Sequence, residues 1–111
     1  PVASGKILTA DLHFNDKSKV IVQVSSDFHE YLVDRKNLSI ERRTRAAMDE
    51  PHIAVRNAAL VLPKLHDYEV IALAKLGTEI EKHFYFPQII EWAKEKGAIS
   101  VLNVSRLNFY G

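Results

Sequence analysis

The chain has 111 residues, a formal net charge of +1 and no cysteine. That limits it to one domain (residues 1–111) and excludes disulfides, thiolate metal sites and bulk attraction to nucleic acid or anionic membrane. Its 47% apolar content is that of a globular protein with a core.

In chain order, strands are expected over residues 6–10, 19–24, 30–34 and 38–42. The second of these, Lys-Val-Ile-Val-Gln-Val, is the clearest by composition. Asn15-Asp16 and Arg35-Lys36-Asn37 are the turn signals between them. Leu38 and Ile40 alternate with Ser39 and Glu41, so the last strand should bury one face. Residues 53–61 read as a short helix or irregular apolar packing. Then Val70, Leu73, Ala74, Gly77, Ile80 and Phe84 recur with helical spacing. His66 or Asp67 serves as N-cap, Glu69 supplies half of a capping box, Lys82 and His83 suit the C-terminal dipole, and Pro87 ends the helix. Strands at 89–93 and 99–104 follow, joined by a turn at 94–97. The expected fold is α+β: a twisted antiparallel sheet with one main helix, about residues 66–85, packed on one face. No apolar run approaches the roughly 20 residues of a membrane helix, and no basic-then-apolar leader opens the chain. A cytoplasmic location without membrane partners is the expectation.

The stretch from Leu65 to Trp92, LHDYEVIALAKLGTEIEKHFYFPQIIEW, resembles a pattern of phosphoenolpyruvate synthase (pyruvate, water dikinase) and pyruvate phosphate dikinase. There, a helix "LTDEEVLELAKLGxxIEKHYGxPQDIEW" precedes a strand "IYILQSRP". Three earlier segments also match. Ala3-Ser4-Gly5 through Asp11 is similar to the family's "ASGVxFTxDP". Residues 19–26 are similar to "KIVIEASxGLGE", and residues 30–36 to "PDEYLVDRK". The resemblance implies the C-terminal half of an ATP-grasp nucleotide-binding domain. It also implies Mg-ATP as cofactor and ATP-dependent phosphorylation of pyruvate as the reaction of the complete enzyme.

On this resemblance Glu91 matches the acidic residue of "DIEW" and would lie near magnesium and the phosphates. Arg106 sits at the place of the "QSRP" arginine and would fork onto phosphate oxygens. Their bland readings are an exposed strand carboxylate and a solvated terminal arginine. The aspartate of "DIEW" is Ile89 here. The "QSRP" glutamine is Val104 without a gap, or Asn103 after a one-residue slip, and the proline is Leu107. The "VIEAS" glutamate is Gln23, the "GLGE" loop is missing, and the glycine after "EKHY" is Tyr85. The core residues fit while the polar site residues do not, so the chain alone is not expected to be catalytic.

Two readings follow: a nucleotide-binding half-domain, or an interaction module that keeps only the scaffold. The second would form a homodimer or pair with the missing ATP-grasp half. Arg42, Arg43 and Arg45, with Arg35 and Lys36, would make a nucleic-acid patch only with further basic or aromatic partners; solvated loop and strand ends are expected instead. The five histidines lack helical metal spacing. Tyr31, Trp92, Phe84 and Phe86 are expected in the core.

Overall fold

A computed structural model describes residues 3–11, 16–26, 29–44 and 65–107. The segment 53–61, Arg45 and Asn15 lie outside the described residues. Among the described residues there are six strands and one helix: β1 (Ala3–Leu8), β2 (Lys19–Val24), β3 (His29–Asp34), β4 (Ile40–Thr44), α1 (Asp67–Phe84), β5 (Gln88–Glu95) and β6 (Ala98–Arg106). The sheet order is β4-β3-β2-β1-β5-β6, and every pair is antiparallel. The fold is therefore α+β, with α1 on one face.

The helix face is made by alternation. Ile7, Val20, Val22, Tyr31, Val33, Ile90 and Trp92 all join one buried cluster with Val70, Leu73 and Ala74 of α1. Burial of this apolar surface is the main stabilising term, at roughly 25 cal/mol per Å². Glu69 accepts the backbone N–H of His66 at 2.9 Å and is ion-paired with Lys94, which ties the first turn of the helix to β5. At the other end Tyr85 closes α1 in the left-handed region, φ 64°, its N–H donating to Glu81 O at 2.9 Å.

Several expectations are corrected. Leu38 lies outside any strand with φ 60°, so the hairpin loop runs further and β4 starts at Ile40. β1 begins at Ala3 and ends before Thr9, because residues 3–5 pair with Lys94, Ala93 and Trp92. The turn expected at 94–97 tightens to Lys96-Gly97, both with positive φ, the geometry of a two-residue hairpin turn. Tyr31 and Trp92 are core residues, whereas Phe84 and Phe86 are 49% and 48% exposed. The fully buried residues of α1 end at Gly77, and Ile80 is the last side chain of the stripe that packs on the core. Among the described residues no helix is long and apolar enough to cross a membrane.

Candidate functional site

The outer face of the sheet, away from α1, carries a row of polar side chains that crosses all six strands. Arg43 pairs with Glu30, Glu30 with Gln23, Gln23 with Lys6, Lys6 with Glu91, and Glu91 with Asn103. Directly opposed residues in antiparallel strands share a face, so one side chain from each strand stands in this row. Beside it runs an apolar row, Leu32–Ile21–Leu8–Ile89, from the same registers.

The two ends of the polar row differ. At the β3–β4 end Arg43 donates from Nη1 to Asp11 Oδ2 at 2.7 Å and from Nε to Glu30 Oε2 at 2.9 Å. Asp11 and Glu30 are buried, and Gln23 Nε2 donates to the other Glu30 oxygen at 3.0 Å. The Asp11 carboxylate, seconded by Glu30, raises the pKa of the Arg43 guanidinium against the opposing effect of burial. This end is a closed network in which each charge has a partner. At the β5–β6 end Lys6 and Asn103 are exposed and Glu91 is half-buried. Asn103 Nδ2 donates to Glu91 Oε2 at 3.2 Å. An ammonium, a carboxylate and an amide thus stand on three neighbouring strands, spaced about 4.8 Å apart.

The register of β6 settles which residue faces Glu91. A bulge between Glu91 and Trp92 leaves Leu102 unpaired, so that Asn103 opposes Glu91 and Val104 opposes Ile90 on the helix face. Of the two residues matched to the "QSRP" glutamine, Asn103 is the one that shares a face with Glu91. Arg106 pairs with Gln88, three residues from Glu91 on a regular stretch of strand, and alternation puts the two on opposite faces. Its guanidinium stacks over the Phe86 ring, 4.0 Å from the centroid. The structure does not bring Glu91 and Arg106 together.

The basic cluster is also dispersed. Arg43 faces the outer side, and Arg42 lies over the Tyr31 ring at 5.4 Å. Arg35 pairs with Glu81 at 2.9 Å and donates from Nε to Lys17 O at 2.8 Å. Glu81 also accepts from Thr9 Oγ1 at 3.1 Å, and Thr9 Oγ1 in turn accepts the N–H of Gln88 at 2.8 Å. These contacts fasten the β3–β4 loop to the end of α1 and the start of β5.

Lys6, Gln23, Glu30 and Asp11 belong to the polar face but not to the sequence-derived site. Their signal was weak: Lys6 read only as the start of a strand, and Gln23 only as an amide at the place of the "VIEAS" glutamate. Among the described residues no group of three or more His, Asp or Glu could hold a metal by itself. Glu91 and Asn103 carry oxygen donors of the type a hard cation takes, and in this structure Asn103 turns its Nδ2 to Glu91.

No protein-family model matches the chain. It is 34% identical over 82 residues to a probable phosphoenolpyruvate synthase of Methanocaldococcus jannaschii, covering 65% of this chain and 7% of that protein. It is 25% identical over 120 residues to a probable phosphoenolpyruvate synthase of Pyrococcus abyssi, covering 84% and 15% respectively. The chain is a distant relative of these two proteins. It spans a small part of their length.

Proposed function

We propose that the chain supplies the magnesium- and phosphate-facing sheet of an ATP-grasp-type nucleotide site. The relationship to phosphoenolpyruvate synthases supports this reading. The observation that carries it is the open end of the polar row, where Glu91 stands opposite Asn103 with Lys6 on the neighbouring strand. Glu91 and Asn103 would hold Mg²⁺ through oxygen, and the Lys6 ammonium would lie against phosphate. Bound Mg-ATP would supply the transferable phosphoryl group. These residues position it and offset its charge, which is most of what a protein contributes to phosphoryl transfer. Glu91, Asn103 and Lys6 bind and position nucleotide; the groups that would act on pyruvate are not among them.

Calorimetric titration with Mg-ATP tests the reading. Weak saturable binding is expected, reduced about tenfold, or about 1.4 kcal/mol, by Glu91→Ala and by Asn103→Ala. Arg106→Ala should leave it unchanged. No heat at millimolar nucleotide, or binding that depends on Arg106 and not on Glu91, would contradict it.

A second reading, a scaffold that associates with a second copy, is favoured by the contrast between the sheet edges. β4 is short and presents Glu41, Arg42 and Arg43, charges that discourage edge pairing. β6 is nine residues long, charged only at Arg106, and exposes Ile99, Val101 and Leu102. Light scattering checks it: a concentration-dependent dimer abolished by Val101→Lys supports the reading, and a monomer at every concentration removes it.

A further inference from the structure

A cleft of about 440 Å³ opens on the helix face of the sheet, between α1 and the β3–β4 loop. It lies on the opposite side of the sheet from the polar row and shares no residue with it. We infer that this cleft binds a small amphipathic carboxylate, its apolar body against Leu38 and its carboxylate between Lys36 and Lys75.

The base is Val20, Val33 and Ala74, core residues that close the cleft below, so the half-buried Leu38 presents the accessible apolar surface. One wall is Leu38, a left-handed leucine. That conformation is disfavoured for a residue with a Cβ, and the loop around it holds it in place. Asp34 Oδ1 accepts the N–H groups of Lys36 at 2.8 Å and Asn37 at 3.1 Å, and Asp34 O accepts the Leu38 N–H at 2.9 Å. Asn37 Oδ1 accepts the Ser39 N–H at 2.8 Å. Arg35 is fastened to Glu81 behind the loop. The wall is thus set before any ligand arrives, and the volume lies within the roughly 300–1,000 Å³ of small-molecule sites.

The charge of the rim selects the ligand. Five charged side chains line it: Asp34, Arg35, Lys36, Lys75 and Glu79. Asp34 is paired with Lys19 at 3.8 Å, Arg35 with Glu81 at 2.9 Å, and Glu79 with Lys82 at 3.3 Å. Lys36 and Lys75 are the two left without an ion pair among the described residues, and both are exposed. An apolar wall beside two exposed ammonium groups without an ion pair recognises one negative charge attached to a hydrocarbon.

The test uses phenylbutyrate, with phenylbutanol as the neutral analogue and acetate as the charge without a body, read by amide chemical shifts. Phenylbutyrate should saturate shifts at Leu38, Ala74, Lys75 and Thr78, about tenfold more tightly than either control. Lys36→Glu and Lys75→Glu, at exposed positions, should each weaken it about tenfold, while Glu91→Ala should have no effect. Phenylbutanol binding as tightly as phenylbutyrate would overturn the inference. So would shifts that avoid these residues, or affinity untouched by both lysine variants. Failure of Mg-ATP to bind the other face would leave it standing.

Discussion

At two positions a single Cβ decides the packing. A Cβ on Gly5 would meet the carbonyl oxygen of Gln23 at 1.8 Å, so glycine lets β1 and β2 approach. A Cβ on Gly77 would lie 2.7 Å from Ile7 Cγ2, inside the layer where α1 meets the sheet. Alanine gains about 1 kcal/mol of helix propensity over glycine, but overpacking costs about 1–3 kcal/mol. Gly77→Ala should therefore lower stability by about 1 kcal/mol in a urea melt, the steric term winning. Tyr85 is the reverse case. It closes α1 at φ 64° with its side chain 87% exposed, so it bears a left-handed strain without burial in return. Tyr85→Gly should raise stability by about 1 kcal/mol in the same melt. Gly77 was legible in the sequence as part of the buried stripe. Gly5 was not, because its reason is a neighbouring strand that sequence spacing cannot place.

Among the elements, the β3–β4 loop links stability to pH. The N–H groups of Asn37 first, then Lys36, hold the Asp34 carboxylate below its ordinary pKa. A carboxylate depressed on folding stabilises the fold above its unfolded pKa of about 3.9. That stabilisation is lost as pH falls from there through the lower folded value. Thermal melts between neutral pH and strong acid should show a steeper acid decline for the wild type than for Asp34→Asn, which keeps an acceptor but does not titrate. Equal slopes would show that Asp34 is not coupled to folding. Other elements show where sequence reading stops. α1 was legible from its stripe, its acidic first turn and Pro87. Leu38 was misread as a strand residue because alternation cannot distinguish a strand from a left-handed wall beside the core. The β6 bulge was illegible, since nothing in Val101-Leu102-Asn103 marks which residue is extra, and a slip of one reverses every side chain after it.

Across the whole molecule, the two sheet faces are separated in chemistry. One is buried under α1; the other carries a polar line built from residues 6, 23, 30, 43, 91 and 103. The α+β layering followed from strands on either side of one amphipathic helix. The line did not, because it depends on β5 joining the sheet beside β1, a crossover no local pattern reveals. Glu91 was found through resemblance, but its companion Asn103 needed the register. The proposed site has nucleotide phosphates meet this outer face. Titration with Mn²⁺-ATP, the paramagnetic ion standing in for magnesium, tests it through side-chain amide signals. Asn103, opposite Glu91, should broaden at concentrations that leave Gln88 on the helix face and Asn37 in the loop sharp. Broadening of Gln88 before Asn103, or of neither, would contradict it.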